Sequence, residues 1–285
     1  MLGKVVWFEN PENDTTEAAF VDAIHEDFRT VHSIKLGEAL RSNESRSSKS
    51  LIRIENIAGD YALMRIRRNK DYQEVKSEQV LLYDGSKSTL KRRRTDIHPH
   101  SWSPELEDQI REFEDGVRGV LGVISAAKLT QNSINVVMDT CFGIRLRQRG
   151  SVYFVSDLHS SKLDEYIKQA EKLGVQVFLI DSEKTATTIR SVERSVFADV
   201  TDRLNQIVAN IVDTDGNLVA KTAKGQGRRM AEMAELLKIA RLYEKVLDTK
   251  MDNLTAQITN TETVVKALIT GNSASLLAAA AKAKN

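Results

Sequence analysis

The spacing of apolar positions changes several times along the chain, and each change predicts a different element. The opening run KVVWFEN (residues 4–10) is built of β-branched and aromatic residues and predicts a strand, closed by Pro11 and the turn formers around it. The spacing then turns to threes and fours. Ala18, Val21, Ile24 and Phe28 fall on one face of a helix with Asp14 or Thr15 as its N-cap. After a serine-rich polar loop, SNESRSSKS (42–50), three segments read as consecutive antiparallel strands: LIRIEN, DYALMRIRRN and EVKSEQVLLYDG. In the second, Tyr61, Leu63, Arg65 and Arg67 alternate with Ala62, Met64, Ile66 and Arg68, and AGD and NKD supply the turns. KSTLKRRRTD has the composition for one more strand. Residues 1–97 therefore read as an N-terminal α+β unit.

Residues 98–181 read as a central helix–hairpin–helix–strand unit. SWSPELEDQIREFEDGVRGVLGVISAAKL predicts a helix with Ser103 as N-cap, Pro104 at the first position and acids in the first turn. A second cap falls at Thr130. The hairpin CFGIRLRQRGSVYFVSD (141–157) follows, with its turn near Gly150. SSKLDEYIKQAEKLG predicts a helix stopped at Gly174, and VQVFLID a buried strand. Beyond Ser182 the pattern is helical only. Ile189, Val192, Val196, Val200, Leu204, Ile207 and Ile211 mark one helix, and DTDGN a turn. In the next helix Met230, Leu237, Met251, Ile258 and Val265 share one heptad position. Met233, Ala240, Leu247, Leu254 and Leu268 share the other, with Glu244 and Thr261 as polar exceptions. A helix of about 40 residues reaches roughly 60 Å. The expectation is thus an α+β fold with antiparallel strands in the N-terminal and central regions, followed over 182–270 by a long antiparallel helical hairpin or coiled coil. These heptad residues are expected to join copies into a homo-oligomer, and the alanine-rich stretch 271–285 to form a flexible tail.

Composition narrows this picture only a little. With 41 Lys and Arg against 40 Asp and Glu in 285 residues, overall charge argues neither for nor against polyanions, so only local clustering counts. The single cysteine, Cys141, excludes an intramolecular disulfide framework and a Cys-based zinc site, and its apolar surroundings favour packing over reactivity. With neither a charged-then-apolar leader nor an apolar run near 18 residues, a cytoplasmic protein without membrane partners is expected.

Four basic clusters stand out: Arg65, Arg67, Arg68; Lys91, Arg92, Arg93, Arg94; Arg145, Arg147, Arg149; and Lys224, Arg228, Arg229. Lysine and arginine supply the main affinity for nucleic-acid phosphates, although solvated faces and strand edges carry the same residues. Asp60, Glu74 and Lys76 follow the Asp…Glu-x-Lys pattern of metal-dependent nucleases, in which carboxylates hold the ion and lysine orients water. Asp60 also suits a turn. His98 and His100, with Asp157 and His159, lack the convergence that a metal site needs. DTDGN (213–217) has its glycine in the fourth position where a calcium loop needs the sixth. KGQGRR (224–229) lacks the flanking elements of a phosphate loop.

The motifs xVxWF at Val5–Phe8, GEALR at 37–41 and R-x-R-x-x-G-x-V-Y-F-V at Arg145–Val155 together resemble an uncharacterised family of phage and mobile-element proteins, although Ser151 stands where glycine is common. The resemblance implies a phage or plasmid context and brings no catalytic residues. The reading is a non-enzymatic, self-associating protein without a cofactor, whose basic hairpins contact DNA or RNA. A structural or adaptor protein that binds no nucleic acid is the alternative, and a metal-dependent nuclease using Asp60, Glu74 and Lys76 is the second.

Overall fold

The computed structural model describes residues 1–44, 50–68, 74–93, 104–147, 151–211 and 222–270, with side chains for all of these except 50–52, 66–68, 74–78 and 223. The chain divides into two compact units: Pro11–Leu129, and a second that joins Met1–Asn10 to Thr130–Asn285. The opening strand causes this division. β1 (Gly3–Glu9) pairs with β9 (Val152–Ser156) and β10 (Gln176–Ser182), far along the chain, and not with its neighbours in sequence. The units therefore differ from the consecutive blocks 1–97, 98–181 and 182–270.

In the Pro11–Leu129 unit, β2 (Thr15–Thr16) leads into α1 (Glu17–Ala23), whose cap is Thr16; its hydroxyl accepts from the Ala19 N–H at 3.2 Å. Asp14, an expected cap of this helix, serves a different one. α2 (Leu36–Ser42) precedes the antiparallel meander β3 (Ser50–Ile57), β4 (Asp60–Arg68), β5 (Glu74–Tyr83) and β6 (Arg92–Arg93). α3 (Pro104–Val120) packs there, and Leu40, Leu63, Tyr83, Ile110 and Val117 are buried in a shared core. The predicted helix does not run on to residue 129. Gly122 takes φ +76, a left-handed turn that suits glycine. β7 (Val123–Ile124) then pairs with β2, and α4 (Ala126–Asn135) begins. The Asp14 carboxylate accepts from the Ala126 N–H at 2.8 Å, at the start of α4. Thr130 consequently lies inside α4, where its hydroxyl donates to the Asn10 side-chain carbonyl at 2.6 Å.

The second unit is built on a four-stranded antiparallel sheet, ordered β10-β1-β9-β8, with β8 (Ile144–Arg145) at one edge. α5 (Ser160–Ala170) is tied to the central strand by a Lys4–Asp164 ion pair at 2.6 Å. Gly174, at φ +76, ends the short turn after α5. β10 was expected to be buried, but it is the other edge strand. It pairs on one side only, and Ile180 is 55% exposed.

Three helices follow: α6 (Ala186–Ala209), α7 (Ala223–Leu247) and α8 (Asp252–Thr270). The single helix expected across α7 and α8 is broken at Asp248, which takes φ +54, and the Glu244 carboxylate accepts from the Met251 N–H at 2.9 Å to start α8. Met233, Leu247, Met251, Leu254, Ile258 and Val265 are buried with Val196, Val200 and Leu204 of α6, with Leu2 just before β1, and with Ile144 and Phe154 of the sheet. Met230, Leu237, Leu268 and Ile269 are partly buried. The heptad residues thus fill the core of their own chain. In α7 the buried register also runs one residue earlier than expected, through Leu236 and Tyr243 in place of Leu237 and Glu244. Among the described residues, no helix is long and apolar enough to cross a membrane.

Candidate functional site

The four basic clusters meet different fates. Arg92 donates to Glu114, whose carboxylate also accepts from Tyr83 at 3.1 Å and from Arg118 at 3.1 Å. Glu114 is buried, and burial beside its charge pushes the Tyr83 hydroxyl pKa up. Arg93 pairs with Asp60 at 3.0 Å and reaches Asp84 at 3.6 Å. Lys91 is exposed, and Arg94 lies outside the described residues. Arg65 is half-buried on β4. The side chains of Arg67 and Arg68 lie outside the described residues, although both positions belong to the strand. In α7, Arg228 and Arg229 converge on Glu232, at 3.1 and 2.7 Å. Lys224 lies exposed in the first turn, where the Thr222 hydroxyl accepts from the Gly225 N–H at 3.2 Å. KGQGRR is therefore the start of a capped helix.

The mid-chain hairpin is the exception. Ile144 and Arg145 of β8 pair with Phe154 and Tyr153 of β9, and Leu146 donates to Val152 at 3.0 Å. Arg145, Arg147, Arg194, Ala198, Asp199 and Asp202 line a groove of about 180 Å³ where the hairpin meets α6. Arg147 and Arg194 are exposed, and neither makes an ion pair among the described residues. Arg190, one turn earlier on α6, is likewise exposed and without such a pair. Arg149 and the turn at Gly150 lie outside the described residues.

Asp199 forms the floor of this groove. It is 5% exposed, and burial pushes its pKa up against the opposing pull of Arg203 and Arg145. Arg145 is half-buried on β8, close enough to Tyr153 and Asp199 for its charge to pull both of their pKa values down. It is the anchored member of the row, while Arg147 and Arg194 are open to solvent. Exposed guanidiniums on rigid elements suit phosphate, which they bind through paired donors. In the sequence Arg190 and Arg194 are marked only as an i, i+4 pair on the side of α6 away from Ile189, Val192 and Val196.

Asp60, Glu74 and Lys76 do not converge. The register sets Asp60 opposite Ile57 at one end of β4, whereas Glu74 faces Arg68, and Lys76 faces Arg67, at the other end. Eight residues of strand separate the ends of β4, about 26 Å at ~3.3 Å per residue, so Asp60 cannot share a metal ion with Glu74. Its carboxylate instead accepts from the Gly85 N–H at 3.0 Å and pairs with Arg93, which fastens the loop after β5. Among the described residues no group of histidine, cysteine and acidic side chains is arranged to hold a metal. His159 packs against Phe142 with ring centroids 5.1 Å apart, and burial lowers its pKa. His98, His100 and DTDGN lie outside the described residues. Cys141 is buried, and its thiol is pushed up to about 12, far from a reactive thiolate.

Fold and groove define a mixed α/β protein with antiparallel sheets, three C-terminal helices and an arginine-lined edge. The chain belongs to the family of unknown function DUF6744, whose model matches residues 1–282. No curated protein and no solved structure matches it.

Proposed function

We propose that this protein is a non-enzymatic, cytoplasmic polyanion-binding protein of a phage or mobile element, contacting nucleic-acid phosphates through Arg145, Arg147 and Arg194. One observation carries the reading. Of the basic clusters whose side chains are described, those on β6 and α7 have arginines drawn onto carboxylates, whereas the hairpin cluster gains a further exposed arginine from α6. The positive charge there is local, which fits a chain with nearly balanced totals. Arg145 lies in β8, and Arg147 and Arg194 supply the exposed contacts. Backbone contacts of this kind position a nucleic acid without reading its sequence, so affinity depends on salt and only weakly on sequence.

Fluorescence anisotropy with labelled single-stranded DNA, duplex DNA and RNA of several sequences tests this reading. The expected result is binding at low salt by at least one of these forms, weakened about tenfold or more by Arg147→Glu with Arg194→Glu. Absence of binding at low salt, or binding indifferent to the double charge reversal, removes the proposal.

A further inference from the structure

A second concavity lies in the same unit, around a turn of five residues that hydrogen-bonds one residue wider than an α-helix. In this π-turn, Val136–Thr140, the Cys141 N–H donates to the Val136 carbonyl at 2.9 Å. Phe142 follows with φ +50, a left-handed conformation that is strained for a non-glycine residue. The Tyr243 hydroxyl holds it there, donating to the Phe142 carbonyl at 3.1 Å. Wide turns and strained residues of this kind recur where a chain is shaped around a site. The cavity between this turn, α6 and α7 has a volume of about 610 Å³, a size suited to a small molecule. Met138, Phe142, Ile207 and Ile239 form its apolar wall.

Its polar groups are mismatched. Arg203 of α6 lines the cavity, yet its guanidinium makes no hydrogen bond among the described residues, and its Nη1 is fully buried. Its ion-pair partner, Asp199 Oδ2, is 3.9 Å away, too far for a hydrogen bond. The lining also holds three carboxylates, Asp139, Glu232 and Glu235. Arg229 neutralises Glu232 at 2.7 Å, and Glu235 shares its charge with the exposed Lys238 at 2.6 Å. Asp139, an exposed residue, has no such partner among the described residues. Partial desolvation raises its pKa, and Glu232 and Glu235 raise it further, against the opposing pull of Arg203. An anion alone would satisfy Arg203 and worsen the crowding of carboxylates. A cation alone would relieve the carboxylates and leave the part of the Arg203 guanidinium that lines the cavity without an anion.

We infer that this cavity binds a small zwitterion, its carboxylate on Arg203 and its ammonium between Asp139 and Glu235. Gln206 and Asn210, which also line the cavity, offer amides to the remaining polar atoms of such a ligand. The apolar wall takes the intervening methylenes.

Isothermal titration of the full chain with ω-amino acids, from glycine through 4-aminobutyrate to 6-aminohexanoate, tests this directly. The monocarboxylate and monoamine of each length serve as comparisons. At least one ω-amino acid is expected to bind saturably and about tenfold or more tightly than either comparison compound. Arg203→Gln and Asp139→Asn are each expected to weaken that binding about tenfold or more. Asp139 is the safer variant because it is exposed, so a folding failure of the Arg203 variant leaves the test intact. The inference is overturned by three results: no saturable binding across the series, a monocarboxylate that binds as tightly as its amino acid, or binding unaffected by Asp139→Asn. None of these outcomes bears on polyanion binding at Arg147 and Arg194.

Discussion

Arg92 and Arg93 sit in the most basic run of the sequence, and both are engaged with carboxylates from other parts of their unit. Glu114 draws in Arg92, Arg118 and Tyr83 at a buried position, so its removal strands several polar groups at once. Glu114→Ala is expected to cost about 3–5 kcal/mol in urea unfolding, as loss of one partner of a buried ion pair does; a loss below about 1 kcal/mol would mean that the cluster is a surface ornament. Asp199 makes the opposite prediction. Its folded pKa lies above its unfolded value, so its contribution to stability is full below about pH 3.9 and is lost as pH rises through the folded pKa. Asp199→Asn should therefore gain stability relative to the parent as pH rises from about 4, read as Tm against pH. Parallel curves for the two proteins would contradict this. At this scale the sequence reveals which residues are charged but not which carboxylate each will meet. Glu114 and Arg92 are 22 residues apart in the chain, and only the fold brings them together.

Among the elements, the C-terminal helices were the most legible, because spacing by threes and fours survives almost any tertiary arrangement. What the spacing could not reveal is who covers the apolar stripe. Leu254 and Ile258 of α8 and Leu247 of α7 pack with Val196, Val200 and Leu204 of α6, so the partner is intramolecular. Leu254→Ala is expected to lower stability by about 2–5 kcal/mol, with a Tm independent of protein concentration. A Tm that rises with concentration would place this stripe between copies. The break after Leu247 was hidden because the heptad continues across it: Met251 and Leu254 keep the rhythm while Asp248 turns left-handed. β10 was misjudged for a related reason, since an apolar run reads alike whether a strand is interior or at an edge. The helix expected from residue 103 to 129 likewise failed at one glycine, Gly122, where a left-handed residue redirects the chain into β7.

On the scale of the whole molecule, the division into units was not legible at all. β1 belongs with strands about 150 and 170 residues further along, and no local pattern announces such a pairing. The α+β class itself was readable, as was the hairpin of Arg145 and Tyr153, because both follow from local alternation. The arginine row was half visible: Arg145 and Arg147 stood out in the sequence, whereas Arg194 joined them only through the packing of α6 against β8. The nuclease pattern shows the reverse case, in which residues at a permissible spacing are carried to opposite ends of a strand. Contact between the exposed arginines at this groove and a polyanion is read most directly in the slope of log Kobs against log salt concentration, for whichever of single-stranded DNA, duplex DNA and RNA binds best. Neutralising about three phosphates predicts a slope of about −2 to −3 for the parent protein, shrinking toward zero in Arg147→Ala with Arg194→Ala. A slope of zero in the parent, or an unchanged slope in the double variant, would contradict the claim.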